Sequence, residues 1–197
     1  MQGDEKLIRQ VLDRDVSAME ALYNRYAPSF LSLCYRYCGN RDDAEDILHD
    51  GFIKIIGNIA GFRIRPGSSF EGWMKRIMVN TALNFIRDRA KEKKFIDIDP
   101  IADRLEVLEE EEEDGDSPYL EISQEKVMEL ICTLPPGYRT VFNLYVFENY
   151  LHKEIASLLG YSENTSKSQL SKARIMLRKK INQLAAEQKP VDIYEKT

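Results

Sequence analysis

The stretch HKEIASLLGYSENTSKSQLSKARIMLRKK, His152 to Lys180, decides the fold of the second half of this 197-residue chain. Ile155 and Ala156 belong to the inner face of a short helix, and the small alanine lets a second helix cross closely. Gly160 suits the turn, because glycine takes the left-handed backbone conformation at little cost. Ser162 is a favourable N-cap for the next helix. The stretch therefore predicts a helix-turn-helix.

The polar face of the second of these helices carries short side chains and bases. From Leu151 to Lys189 the chain holds eight bases and three acids. The start of such a helix enters the major groove of DNA, where short polar groups reach base edges and Lys and Arg contact phosphates. The alternative is a helical hairpin with a solvated basic face. Ser166 stands where the helical period predicts an apolar residue. The candidate DNA-binding residues are Asn164, Lys167, Ser168, Ser171, Lys172 and Arg174.

Helical periodicity also dominates the rest of the chain, and alternating strand patterns are nearly absent. Apolar residues near the N-terminus predict helix up to Pro28, and a second run extends from Phe30 to Gly39. The run from Ala44 to Ile59 is preceded by Asn40, placed to cap it. A loop at 61–69 and a long helix from about residue 70 to 90 follow, with Met74, Ile77, Thr81 and Phe85 on its predicted core side.

An acidic run separates the two halves. Asp97 to Asp116 holds 11 acids against one base, Arg104, so the rest of the chain is net basic although the whole carries −5. A block of like charges repels itself and cannot bury apolar area, which is typical of a linker. We therefore predict an all-α fold of two small helical domains joined by a flexible acidic linker: a first domain at 1–94, the linker at 95–118, the helix-turn-helix domain at 119–188 and a tail at 189–197.

One face of the long helix combines an aromatic ring with amide and guanidinium groups. Between Lys75 and Lys94 there are seven bases and two acids. Unpaired bases stack on aromatic rings and are recognised at their exposed edges by such polar groups. The alternative for the single tryptophan is that it only fills the core. The candidate residues share one side of the helix and are Trp73, Arg76, Asn80, Asn84 and Arg87.

The preceding helix carries an acidic stripe formed by Asp43, Asp46, Asp50 and Lys54, with Asp42, Glu45 and His49 beside it. Such a face suits docking of a basic protein partner, and the alternatives are a solvated surface or a metal or acid/base site. An enzyme using these carboxylates is the least favoured hypothesis.

Several classes of function are disfavoured by composition. No apolar run approaches the roughly 18 residues that span a bilayer, and the N-terminus lacks the pattern of a signal peptide, so we expect a cytoplasmic protein with no membrane insertion. Three cysteines fit a reducing compartment. Cys34, Cys38 and His49 do not form a recognisable zinc motif. No catalytic motif is evident, so we expect a protein that is not an enzyme and needs no metal or cofactor.

Three motifs in order resemble the extracytoplasmic-function group of sigma factors in the sigma-70 family: Asp43 to Ile55, Phe70 to Arg87 and Leu134 to Arg174. The resemblance implies a region-two domain followed by a region-four domain. It also implies an alternative sigma factor that binds core RNA polymerase and directs promoter-specific initiation. Region two would dock on the clamp helices of the beta-prime subunit through the acidic stripe, including Asp46, His49, Asp50 and Lys54. Region four would contact the beta flap.

The resemblance further implies two DNA contacts. The helix from Trp73 to Arg87 would melt and read the minus-ten element as a single strand, with Asn80 near the pocket for a flipped base. The helix-turn-helix would read the minus-thirty-five element as duplex and adds Thr165 to the candidates near the groove. The acidic linker would thread the RNA-exit channel of the polymerase. An anti-sigma factor is the implied regulator.

Some positions depart from the family pattern. His49 and Asp50 stand where Gln and Glu are common, and Ser166 stands where Val is usual. The competing hypothesis is a dimeric helix-turn-helix regulator that acts on duplex DNA alone. This hypothesis accounts for the second half of the chain but assigns no function to the Trp73 face or to the acidic stripe.

Overall fold

The computed structural model describes residues 2–63, 69–92 and 122–188, apart from a few side chains at helix ends. The chain divides into two compact units, Met1–Asp97 and Ile98–Thr197. Within the described residues every regular element is a helix, so the all-α prediction is confirmed. The predicted linker at 95–118 and the tail at 189–197 lie outside the described residues.

Within its described residues, 2–63 and 69–92, the first unit contains four α-helices: α1 (Gln2–Leu12), α2 (Val16–Cys38), α3 (Arg41–Asn58) and α4 (Phe70–Glu92). A short 3-10 turn, Ile59–Gly61, follows α3. Helices α2, α3 and α4 pack on one another, and α1 lies against α2.

Helix α2 continues through Pro28, so the break predicted there is wrong. Tyr26, Ala27 and Phe30 are buried on the core side, whereas Asn24 and Pro28 are exposed. Proline removes the hydrogen bond to the carbonyl four residues earlier. Because that site faces water, solvent can bond the freed carbonyl, and burial of the apolar face keeps the helix continuous.

Helix α3 begins where the sequence predicts. The Asn40 side chain accepts a hydrogen bond from the Asp43 backbone N–H at 2.9 Å, which caps the first turn. The predicted apolar face is buried from Ala44 to Ile59, except that Ile56 is only partly buried. A Cβ on Gly51 would collide with the Met78 side chain, so glycine permits the close crossing of α3 and α4.

The core face of α4 is wider than the periodicity predicts. Met74 and Thr81 are buried as expected, but Ile77 and Phe85 are only partly buried, and that part of the prediction is wrong. The physical reason is that α4 packs against both α2 and α3. Its buried surface therefore covers two sides of the helix and also takes in Met78, Val79, Ala82 and Leu83.

The second unit contains α5 (Gln124–Cys132), α6 (Pro136–Phe142), α7 (His152–Leu159) and α8 (Glu163–Gln188). Its core includes Leu130, Ile131, Leu134, Tyr138, Ala173 and Leu177. Helix α6 begins at Pro136 and leads into a π-helical turn, Asn143–Phe147. Proline suits the start of a helix, because it loses no hydrogen bond there.

Helices α7 and α8 form the predicted helix-turn-helix. Gly160 has φ +73°, the left-handed conformation that the turn requires. The Thr165 backbone N–H donates to Ser162 Oγ at 3.0 Å, so Ser162 caps α8. The two ends of the turn are therefore set by Gly160 and Ser162, each of which acts on backbone groups only a few residues away in the sequence.

Cys34 is buried, and burial raises its pKa to about 12, so its thiol is protonated and unreactive at neutral pH. Among the described side chains, no three His, Cys, Asp or Glu residues come together as metal ligands. No helix within residues 2–63, 69–92 and 122–188 is long and apolar enough to cross a membrane.

Candidate functional site

The predicted polar face of α4 is exposed. Arg76, Asn80, Asn84 and Arg87 all lie on the surface of the first unit. Arg87 Nη1 donates to Asn84 Oδ1 at 3.2 Å, which holds these two side chains together. The helix therefore presents amide and guanidinium groups side by side, the groups that recognise base edges and phosphates.

Trp73 lies at the N-terminal end of that face and is half-buried. Its ring stacks on Phe70, with centroids 5.8 Å apart and planes at 15°. Phe62, the residue that follows the 3-10 turn, packs on it with ring centroids 5.3 Å apart. Neither partner was predicted from the sequence, although the spacing of three residues between Phe70 and Trp73 is a signal for Phe70. The ring is held by aromatic neighbours while part of it reaches solvent, as a stacking platform requires.

One residue predicted for the acidic stripe of α3 is not on the surface. Asp46, His49, Asp50 and Lys54 are exposed, but Asp43 is buried. Its carboxylate forms an ion pair with Arg89 Nη1 at 2.5 Å and accepts a hydrogen bond from Asn40 Nδ2 at 2.6 Å. Asp43 therefore joins the ends of α3 and α4 instead of facing a partner, and its assignment to a docking surface is corrected. Below, the acidic stripe means the four exposed residues.

Two contacts on the acidic stripe come from other helices. The His49 ring stacks on Tyr23 of α2, with centroids 6.3 Å apart. Lys54 Nζ lies 3.4 Å from the Thr81 hydroxyl of α4. Tyr23 was not predicted as part of this surface, because its proximity to His49 depends on how α2 packs against α3. The surface around the stripe thus combines carboxylates with an aromatic pair.

The predicted DNA-facing residues of α8 divide by exposure. Asn164, Lys167 and Arg174 are exposed, whereas Thr165, Ser168, Ser171 and Lys172 are partly buried. Lys167 Nζ pairs with Glu163 at 2.9 Å, and the bond lowers the pKa of Glu163. Lys167 is thus ion-paired with Glu163, whereas the guanidinium of Arg174 lies over the aromatic ring of Tyr145.

Ser166 differs from the other polar residues of α8 because it is completely buried. Its hydroxyl lies 3.0 Å from Nδ1 of His152, the first residue of α7. The His152 ring in turn stacks on Tyr145 at 4.6 Å. The apolar residue expected at this position is thus replaced by a polar contact between the two helices.

Comparison with known proteins identifies both halves. Residues 22–92 match the family model for sigma-70 region 2, and residues 124–177 match that for sigma-70 region 4. The extracytoplasmic-function (ECF) RNA polymerase sigma factor SigW of Bacillus subtilis is 31% identical over 186 residues, covering 91% of this chain and 97% of that protein. The ECF sigma-E factor of Haemophilus influenzae is 29% identical, covering 92% of this chain and 96% of that protein.

A solved structure shares the fold. The sigma factor RpoE of Bartonella quintana, determined in complex with the anti-sigma factor NepR, superimposes with a TM-score of 0.50 at 18% identity, covering 86% of this chain and 99% of that one. The two regions in order, together with relatives matched over nearly their whole length, show that this chain belongs to the ECF group of sigma-70 family RNA polymerase sigma factors.

Proposed function

We propose that this protein is an alternative sigma factor that binds core RNA polymerase and directs initiation from a specific set of promoters. The observation that carries the proposal is the presence of both sigma-70 regions in one chain. A dimeric regulator of duplex DNA would use only the helix-turn-helix and would give the first unit no role. It is therefore the weaker hypothesis.

In this proposal the acidic stripe of α3 docks on the clamp helices of the beta-prime subunit. Asp46 and Asp50 are exposed one helical turn apart, so their charges act on one basic surface. His49, packed on Tyr23, adds an aromatic contact beside them. Asp43 has no part in docking because it is buried.

The α4 face binds the minus-ten element as single-stranded DNA. Trp73 stacks on an unpaired base, Asn80 and Asn84 recognise base edges, and Arg76 and Arg87 contact phosphates. The support is the order of these exposed groups along one face that begins at an aromatic cluster. We assign this binding to the first domain, residues 1–94.

The second domain, residues 119–188, binds the minus-thirty-five element as duplex and contacts the beta flap. Asn164, Thr165, Ser168 and Ser171 lie at or near the groove, whereas Lys167, Lys172 and Arg174 approach phosphates. The linker at 95–118 follows the RNA-exit channel. An anti-sigma factor as regulator is supported by the family and by the fold shared with a sigma factor solved in such a complex.

The proposed function is tested with purified protein and core RNA polymerase. We expect transcription to start at a defined subset of genomic promoters when the chain is added. Absence of binding to core polymerase would contradict the proposal.

Replacing Asp46 and Asp50 together with alanine is expected to weaken binding to core polymerase by about tenfold, because two charge pairs at an interface are lost. A matched double variant, Glu5→Ala with Glu20→Ala, removes the same net charge from exposed positions of α1 and α2. Fluorescence anisotropy of labelled protein titrated with core polymerase measures the affinity of each double variant. Equal affinities for the two variants would show that net charge, and not the stripe, governs binding.

Replacing Lys172 with glutamine is expected to weaken binding to minus-thirty-five duplex and to flatten its salt dependence. One lost phosphate contact reduces the slope of log K against log salt by about 0.9. Lys179→Gln, at an exposed position farther along α8, is the control and should leave the slope unchanged. The same slope in both variants would exclude Lys172 from the phosphate contacts.

A further inference from the structure

A partly buried polar contact connects the two helices of the helix-turn-helix. Ser166 lies in the first turn of α8 and is completely excluded from solvent. Burying a hydroxyl is unfavourable unless it is hydrogen-bonded, and His152 Nδ1 at 3.0 Å supplies that partner. Because His152 begins α7, the bond joins the first turns of both helices.

The His152 ring also packs against an aromatic neighbour. Its ring stacks on Tyr145, with centroids 4.6 Å apart and planes at 24°, and Tyr145 belongs to the π-helical turn before α7. The guanidinium of Arg174 lies over the same tyrosine ring at 5.8 Å. Helix α8 is therefore connected to the Tyr145 and His152 pair at two positions, Ser166 and Arg174.

The environment of His152 favours its neutral ring. Burial has the largest effect and lowers the pKa of His152 from its usual value of 6.5, Lys167 and Arg174 lower it further, and Glu163 acts in the opposite direction, so the neutral form dominates at pH 7. A neutral ring has one donor and one acceptor nitrogen, and a hydroxyl can pair with either. The contact with Ser166 is thus a neutral hydrogen bond, which is directional and requires a narrow range of distances.

We propose that the hydrogen bond between His152 and Ser166 sets the position of the recognition helix and thereby the base discrimination at the minus-thirty-five element. An apolar contact tolerates small rotations of α8, whereas a directional bond to a fully buried hydroxyl does not, because rotation would leave that hydroxyl unpaired. Ser168 and Ser171 follow Ser166 by two and five residues on the same helix, so any rotation there moves them relative to the bases. His152 and Ser166 are positioning residues, and this inference rests on the proposed function.

The test compares two substitutions of similar size at His152. Asparagine keeps a hydrogen-bonding nitrogen where Nδ1 lies, leucine does not, and both remove the ring from Tyr145. The full-length variants are assembled with core polymerase and tested on promoters with a randomised minus-thirty-five element. Discrimination is the transcript yield of the best element relative to its single-base variants. We expect His152→Leu to reduce it about tenfold and His152→Asn to keep it within about threefold.

A double variant, His152→Leu with Ser166→Ala, removes both polar groups and so avoids an unpaired buried hydroxyl if the single leucine variant does not fold. It is expected to restore thermal stability without restoring discrimination. Wild-type discrimination in either leucine variant, or an equal loss in His152→Asn and His152→Leu, would overturn the inference. Failure of the wild-type chain to start specific transcription would instead contradict the proposed function.

Discussion

Replacing Asp43 with alanine is expected to lower the free energy of unfolding of the first unit by about 2–3 kcal/mol. Removing one partner of a buried ion pair costs ~3–5 kcal/mol. The value is smaller here because the Arg89 side chain is 50% exposed, although that of Asp43 is only 8% exposed. The loss also removes the acceptor that Asn40 Nδ2 uses at the start of α3.

The chain has a convenient reporter for this measurement. Trp73 is its single tryptophan, so tryptophan fluorescence during denaturation follows the first unit alone. Asp46→Ala is the control, because it removes an exposed carboxylate one turn along the same helix. We expect it to change stability by less than about 0.5 kcal/mol. Equal shifts in the two variants would refute a structural role for Asp43.

Replacing Trp73 with alanine is expected to slow open-complex formation by about tenfold to a hundredfold. Stacking of one base on an aromatic side chain contributes ~1–3 kcal/mol, which corresponds to that range. Duplex binding at the minus-thirty-five element should be unchanged, because α8 belongs to the other unit. Permanganate reactivity of promoter thymines measures opening, and gel shift of an upstream duplex measures the other contact.

Two controls separate stacking from folding. Trp73→Phe keeps an aromatic face toward Phe62 and Phe70, so most of the opening rate should remain. Circular dichroism at increasing temperature shows whether Trp73→Ala still folds at the assay temperature. A similar loss of opening and of duplex binding in Trp73→Ala would contradict the single-strand role.

Some features of the site follow from local chemistry and could be predicted. Asn40 and Ser162 cap helices by bonding backbone groups three residues away. Gly160 allows the turn through its own backbone conformation. The exposed face from Arg76 to Arg87 follows from the period of a helix. None of these features depends on what another helix contributes.

Other features depend on residues far apart in the chain. Asp43 has the sequence pattern of a surface carboxylate, and only Arg89, 46 residues later, makes it structural. Ser166 looks like a poor core residue until His152 is placed against it. Phe70 and Phe62 both hold Trp73. The spacing along α4 is a signal for Phe70, but Phe62 could not be assigned before the turn after α3 was known.

The amino-acid sequence was sufficient to predict the helical class and the two-domain organisation, because periodicity, capping and charge density are properties of neighbouring residues. The family was indicated separately, by the resemblance of three motifs that occur in order along the chain. Only the packing of the helices decided that α2 continues through Pro28, how wide the buried surface of α4 is, and whether a given polar side chain is exposed or holds two helices together. Those outcomes depend on packing between helices, because burial decides the energetic cost of a missing hydrogen bond or an unpaired charge.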